Sequence, residues 1–440
     1  MTKKSYPSQS EKEKSAFWSL SQRAERIVFY LLLLFLPSQF GRHFWPAYTH
    51  LLGLRIDYLS PTLYATDILL IVLFILFMLN SGRSFLKKFS NAYIFFAACA
   101  VLLTGIIFSK TPQAGMYIFA KFLEVSFFAY YIAKAVDKKN FQNVCLVFSL
   151  GVVLSSLLAV AQFFHQGSIG SIFYFFGERT FTGSTPGIAN ANINGGLVLR
   201  PYATFPHPNV LAGYLTIAMA MVVSNFKIQI SKFKKIFFAA SIIFGTVALL
   251  LSFSRVAILL WFIFLFLFLL QKTKLRIKNI FLIFIVAACV IVLFFLSPLH
   301  YRFAFSFSDE PVVQREQLAN AALAMIKTHL FFGVGLGNFL INLPQVLKTS
   351  SVSLLQPVHN IYLLILSETG IAGFAVSGWF VFATYKKIKT SPPLISNPKF
   401  ILLSLVLIIG FFDHYFLTLQ QGQLLLGLII GLCYCKAFQT

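Results

Sequence analysis

The chain is poor in charged residues, and above all in acidic ones. Only 11% of its 440 residues are Asp, Glu, Lys or Arg, and only 13 are acidic. Soluble domains carry about 25% charged residues, so the composition argues against a soluble protein. Cysteine is scarce as well, and the five cysteines all lie in apolar segments. They predict neither a disulfide framework nor a metal site.

Long apolar runs take the place of the missing charge. Hydrophobic residues make up 58% of the chain, and the mean hydropathy is +0.80. Because the runs are continuous rather than alternating, they predict an all-α polytopic membrane protein with about twelve transmembrane helices. The predicted spans are 27–40, 62–80, 91–109, 112–134, 141–164, 209–225, 236–252, 255–271, 280–297, 359–384, 400–416 and 421–436.

The basic residues are unevenly distributed between alternate loops. The net charge is +23, and with a cytoplasmic N-terminus 25 basic residues fall on the inner side and ten on the outer side. The positive-inside rule predicts this bias, so both termini are expected in the cytoplasm. The basicity is therefore a topological signal. No nucleic-acid-binding pattern accompanies it, so nucleic acid is not expected as a partner.

The predicted organisation is a single membrane domain, 27–440, with a polar cytoplasmic tail, 1–26, before it. Two long outer loops are expected, 165–208 and 298–358, and the first is rich in Gly, Ser, Thr and Asn. The second loop has apolar residues at helical spacing, which predicts an amphipathic helix on the outer membrane surface. A glycine-rich turn, 332–339, then leads back to the bilayer.

His359 stands where the second outer loop returns to a hydrophobic segment. A titratable side chain at the mouth of a membrane helix is costly, which favours a functional role. An ordinary imidazole pKa of about 6.5 allows proton uptake at neutral pH, so His359 is a candidate general base. Asn360 beside it is a candidate for positioning the substrate. Glu368 is another, although at about 13 Å along a helix it is too distant to orient the His359 ring.

Several arginines remain on the outer side despite the positive-inside rule. Arg200, Arg255 and Arg315 are candidates for binding a diphosphate, because a guanidinium can bind two phosphate oxygens at once. Two of them have alternative readings. Arg255 could snorkel to the membrane interface, and Arg315 could be an ordinary surface charge.

Four more polar residues on the outer side are candidates for positioning the substrate: His207, Asn209, Asp413 and His414. His207 lies between two prolines and fits an ordinary loop histidine equally well. Asp413 and His414 could pair with an outer arginine or orient the substrate. Hydrogen bonding between helices explains them as well.

Together these motifs resemble the O-antigen ligase and O-antigen polymerase superfamily of bacterial membrane glycosyltransferases. The resemblance covers 195–375 and departs from the family at Gln317 and Leu330, where the family often has Trp and Pro. The matching elements are Arg200-x-x-x-Thr-Phe-x-His-Pro-Asn209, Ser254-Arg255, Arg315 ahead of the glycine-rich turn, and His359-Asn-x-Tyr-Leu followed by Glu368-x-Gly.

The resemblance implies a GT-C-like fold and a metal-independent transfer reaction without a cofactor. A glycan would move from a polyprenyl-diphosphate carrier, such as undecaprenyl diphosphate, to an acceptor hydroxyl on the outer face of the bacterial plasma (inner) membrane. The acceptor would be a glycan or glycolipid, such as the lipid A-core of lipopolysaccharide, and a chain-length regulator is a further candidate partner. His359 would take the acceptor proton or position the hydroxyl. Arg255, Arg315 and Arg200 would hold the diphosphate.

A lipid-linked oligosaccharide flippase is the main alternative, because flippases have a similar number of spans. They usually have two related halves and polar residues throughout the midplane, whereas the polar residues here gather on one outer side. A non-catalytic scaffold would leave the arginines and histidines unexplained. The sequence leaves open the sugar, the acceptor, and whether the product is ligated once or polymerised.

Overall fold

The computed structural model describes residues 9–81, 92–193, 195–224, 231–272, 310–348, 354–388 and 397–437, and these are mostly helical. The predicted span 280–297 lies outside the described residues. The α-helices are α1 (Gln9–Phe35), α2 (Ala65–Ser81), α3 (Ala92–Ile107), α4 (Pro112–Ala135), α5 (Phe141–His165), α6 (Pro208–Ser224), α7 (Lys232–Leu251), α8 (Arg255–Lys272), α9 (Glu310–Thr328), α10 (Phe339–Leu347), α11 (Ile361–Ile388), α12 (Pro398–Gly410), α13 (Tyr415–Thr418) and α14 (Gln420–Tyr434).

The helices confirm the prediction of a helical membrane protein. Among the described residues, α4, α5, α7 and α11 are long and apolar enough to cross a membrane, and five shorter helices are similarly apolar. All of them lie within or close to predicted spans. The count of twelve spans and the GT-C-like arrangement stay predictions.

Helix α6 is the centre of the bundle. Its residues from Val210 to Val223 are all buried, and it packs against α5, α7, α8 and α12. A helix that is apolar on every side is stable only when other elements surround it. Small residues let these neighbours approach closely, and a Cβ on Gly213 would overlap the Tyr415 hydroxyl. The start of α6, just after His207, is therefore held in a fixed place.

A second hydrophobic core lies among the segments predicted to be outer loops. Ile56 and Leu59 pack there with Leu318 and Met325 of α9 and with Phe339 of α10. The predicted helix in the second outer loop is thus present as α9. Its residues Leu318, Ala322 and Met325 pack into this core, and its position at the outer membrane surface stays a prediction.

Short hairpins add strands that the all-α prediction lacked. They are β1 (Gly41–His43) with β4 (Thr62–Tyr64), β2 (His50–Leu51) with β3 (Leu54–Arg55), and β5 (Asn190–Ile193) with β6 (Gly196–Leu199), all antiparallel. Each strand has at most four residues, which is too short for an alternating pattern to stand out.

The segment that leads into the glycine-rich turn packs against a kink in α11. The kink is at Gly370, whose φ of 64° lies in the left-handed region. Beyond it, the Ile371 and Ala372 amides donate to the carbonyls of Leu330 and Phe331. A Cβ on Gly370 would lie only 2.3 Å from the Phe331 carbonyl carbon. Only glycine fits both the backbone angle and the close approach.

We expect Gly370→Ala to destabilise the protein, because it adds about 1–2 kcal/mol of left-handed backbone strain to this overlap. Gly378→Ala in the same helix is the matched control, since nothing lies within 4 Å of its Cβ position. Alanine favours a helix by up to about 1 kcal/mol over glycine, so the control should be neutral or slightly stabilising. The apparent Tm of the two detergent-purified variants checks this, and equal Tm values would contradict it.

Candidate functional site

Three histidines and one aspartate from separate parts of the chain meet at one end of the bundle. His207 precedes α6, His359 precedes α11, and Asp413 and His414 lie between α12 and α13. The rings of His359 and His414 meet edge to face, with centroids 5.1 Å apart. Side-chain ligand atoms of His359, Asp413 and His414 lie within 4.8 Å of one another. His207 interacts electrostatically with both His359 and Asp413.

The Asp413 carboxylate is fixed by two donors. The His414 backbone N–H donates to Oδ1 at 2.8 Å, and the Asn209 side-chain amide donates to Oδ2 at 3.1 Å. The side chain is buried, with 9% of its surface exposed. Asp413 is therefore the carboxylate that accompanies His359, although 54 residues separate them in sequence.

Hydrogen bonds fix the backbone next to His359, and they leave one nitrogen of its imidazole ring without a partner among the described residues. Its Nδ1 atom is buried and has no hydrogen-bond partner among the described residues. The neighbouring Asn360 caps α11, because its Oδ1 accepts from the amides of Tyr362 and Leu363. Its Nδ2 donates to the Phe411 carbonyl at 3.1 Å. These bonds keep His359 beside the 411–414 segment with a polar atom available to a substrate.

The His414 ring is also oriented by its surroundings. Its Nδ1 lies 2.6 Å from the Thr418 hydroxyl, one turn further along α13. On its other side it meets the ring of Tyr58 edge to face, with centroids 5.4 Å apart. Sequence reasoning missed Tyr58, because a single tyrosine in an outer loop gives no signal of its own.

The electrostatics keep the imidazoles neutral and the carboxylate ionised. Burial lowers the pKa of His359, and Arg315 lowers it further, against the opposing effect of Asp413. Burial is also the main reason why the pKa values of His207 and His414 are lowered. Burial alone would raise the pKa of Asp413, but the histidines and Arg315 bring it below its usual value. A neutral imidazole beside an ionised carboxylate can accept a proton.

Arg200 links this cluster to the turn before α8. Its side chain is buried, with Nε donating to the Ser252 carbonyl and a terminal nitrogen donating to Asn209 Oδ1, both at 2.7 Å. Asn209 in turn donates to Asp413. A continuous chain of hydrogen bonds therefore runs from Ser252 to Asp413.

The other two predicted arginines are more accessible. Arg255 is the first residue of α8 and is partly exposed. The preceding turn is held by the Ser254 amide, which donates to the Ser252 hydroxyl, and by Phe253 at a φ of 53°. Arg315 lies exposed on α9 and contributes to the electrostatic field at all three histidines.

The structure places Glu368 apart from His359. Its two carboxylate oxygens accept from the backbone amides of Gly337 at 3.0 Å and Phe339 at 3.2 Å. Glu368 therefore holds the glycine-rich turn and the start of α10. The position agrees with the helical distance that separated it from the histidine in the sequence analysis.

Gln162 is a supporting residue that the sequence analysis missed. Its Oε1 accepts from the amides of Tyr202 and Ala203, and its Nε2 donates to Glu178 at 2.7 Å. It thus fixes the segment between Arg200 and His207, in which Ala203 has a φ of 50°. A glutamine inside an otherwise apolar span was the available signal.

His359, Asp413 and His414 also have the spacing of metal ligands, as one group among the described residues. Two imidazoles and a carboxylate can bind several divalent metals. Both Asp413 oxygens and His414 Nδ1 are already engaged by protein groups, however. Arg315 adds positive charge near the same atoms. That charge opposes the binding of a cation, and metal independence stays a prediction.

Comparison with known families gives a match that covers part of this site. Residues 238–378 match the family model described as O-antigen ligase. The match includes Arg255, Arg315 and His359, and it supports the resemblance to the O-antigen ligase superfamily. A search of curated proteins found no match.

Proposed function

Because the chain carries an O-antigen ligase domain at 238–378, we propose that it is a membrane glycosyltransferase of cell-surface polysaccharide biosynthesis. It moves a glycan from a polyprenyl-diphosphate carrier to an acceptor hydroxyl, without a metal ion. The observation that carries this proposal is the partly buried His359 imidazole, whose Nδ1 is unpartnered among the described residues, beside the Asp413 carboxylate. That pair supplies the base which the acceptor requires.

The proposed reaction begins with His359 accepting the proton of the acceptor hydroxyl. The oxygen forms a bond to the anomeric carbon of the glycan, while the bond from that carbon to the diphosphate oxygen breaks. The electron pair leaves with the polyprenyl diphosphate, and the proton remains on His359. The ionised Asp413 stabilises the imidazolium that forms, as an opposite charge a few ångströms away favours the charged form.

The arginines take two different roles in this proposal. Arg255 and Arg315 are accessible and stabilise the charge that develops on the departing diphosphate. Arg200 donates hydrogen bonds to Ser252 and Asn209, so it positions the turn before Arg255 relative to Asp413. His207, Asn209, Asn360 and His414 orient the base and the substrate around it.

The grouping of segments supports a site on the outer face of the plasma membrane. The segments 200–209, 252–255, 359–360 and 411–414 were all predicted on the outer side, and contacts between them bring them to one end of the bundle. We therefore propose twelve spans in one membrane domain, 27–440, with both termini cytoplasmic. The apolar helices around the site would accommodate the polyprenyl tail.

We expect His359→Ala to lower glycan transfer by about 10²–10⁴-fold, the usual contribution of a general base. Transfer is measured with purified protein in liposomes containing the lipid-linked donor. His165→Ala is the control, because His165 is exposed at the end of α5 and has no part in the proposed reaction. Full transfer by the His359 variant would overturn the mechanism.

The pH profile tests the role of Asp413. Activity requires neutral His359, whose pKa is lowered, so the acid limb of kcat/KM should lie below pH about 6.5. Because Asp413 raises the pKa of His359, Asp413→Asn should move this limb to still lower pH. The plateau rate should fall at the same time, since the imidazolium loses its counter-charge. An acid limb that moves to higher pH contradicts this assignment.

Arg255→Lys tests the diphosphate site. Lysine keeps the charge but loses the planar fork, and we expect transfer to fall by about 10²–10³-fold. The control is Arg179→Lys, the same change at an exposed arginine whose partner is Asp57 at 3.9 Å. If both variants show the same donor affinity and rate as the wild type, Arg255 does not bind the diphosphate.

A further inference from the structure

A buried cluster of ionisable side chains joins three helices and is not used in the proposed reaction. Asp67 lies in the first turn of α2, Lys121 and Glu124 lie on α4, and Gln420 is the first residue of α14. The side chains of Asp67 and Lys121 are each 7% exposed. Ionisable groups inside apolar helices are rare and usually have a function.

The two carboxyl groups have unequal surroundings. Asp67 accepts from Lys121 Nζ at 2.6 Å, from Gln420 Nε2 at 2.5 Å and from the Tyr64 amide at 2.9 Å. Glu124 accepts from Lys121 at 3.1 Å, and its contact with Gln420 is longer, at 3.4 Å. Asp67 therefore has the donors that an ionised carboxylate requires, and Glu124 has fewer.

The charges of the cluster do not balance when both carboxyl groups are ionised. In the described chain Asp67, Lys121 and Tyr117 face Glu124, and Tyr64 faces Lys121, which is the single cation of this group. One ammonium against two carboxylates leaves a net negative charge in an apolar environment, which is unfavourable. The same Lys121 and Gln420 nitrogens contact both carboxyl groups, so a proton on one carboxyl can form a hydrogen bond to the other. One bound proton removes the excess charge and supplies that bond.

We propose that Asp67, Lys121 and Glu124 form a proton-binding site within the membrane domain, with the proton on Glu124. The protonated site holds α2, α4 and α14 together. It goes beyond the glycosyltransferase activity, because it needs neither donor nor acceptor. The proton-binding site is close in sequence to the candidate functional site. Gln420 lies two residues after Thr418, whose hydroxyl contacts the His414 ring.

Two carboxamide substitutions separate the roles of the carboxyl groups. Glu124→Gln keeps the uncharged form, so it should fold with a wild-type Tm at about pH 4, where Glu124 is protonated in the folded and in the unfolded chain. Asp67→Asn removes the charge partner of Lys121 and should lower the Tm by at least roughly 5 °C. Glu316→Gln, at an exposed carboxyl on α9, is the control. The Tm of each protein in nanodiscs is followed by tryptophan fluorescence across a range of pH.

The direction in which Tm changes with pH tests whether the site binds a proton. The stability that the bound proton gives is complete below about pH 4.3, the ordinary pKa of an unfolded glutamate, and it is lost as pH rises from there through the titration of the folded site. The wild type should therefore lose Tm relative to Glu124→Gln as pH rises above about 4.3, whereas the variant should not. Infrared difference spectra should show a protonated carboxylic acid that is absent from Glu124→Gln. The proposal is overturned if both carboxamide variants are equally destabilised, if their pH profiles match the wild type, or if sodium ions specifically restore the high-pH Tm.

Discussion

The hydrogen-bonded chain from Ser252 through Arg200 and Asn209 to Asp413 is the interaction on which the candidate site depends. It joins the turn before α8, the segment before α6 and the connection between α12 and α13. A buried guanidinium is tolerated only when its donors are paired. The same pairing therefore satisfies Arg200 and places the Asp413 carboxylate.

Two apolar cores contain residues next to the ends of this hydrogen-bonded chain. On one side the fully buried α6 fixes the start of the segment that carries His207 and Asn209. On the other, the second core holds α9, which presents Arg315, and also contains Val358, the residue before His359. The charged groups sit where the two cores meet. Their burial there explains why the histidines are neutral and can act as bases.

The candidate membrane helices could be predicted from the sequence, because they are apolar runs and such runs form helices in a membrane. The resemblance carried by Ser254-Arg255 and His359-Asn360 also led to the family that the comparison supports. The short hairpins could not be predicted from such brief segments. The amphipathic pattern of α9 was visible as well, but such a pattern does not say which protein residues pack against its apolar face.

The sequence by itself determined the apolar spans, the charge asymmetry between loops and the identity of the candidate base, since these depend on composition and local order. It also separated Glu368 from His359, because a helix sets the distance between two of its residues. The tertiary structure decided which carboxylate accompanies His359 and which partners neutralise Lys121. Asp413 and Asp67 reach those places through helix packing between segments that are distant in the chain. No local pattern encodes such contacts, because they depend on how whole helices fit together.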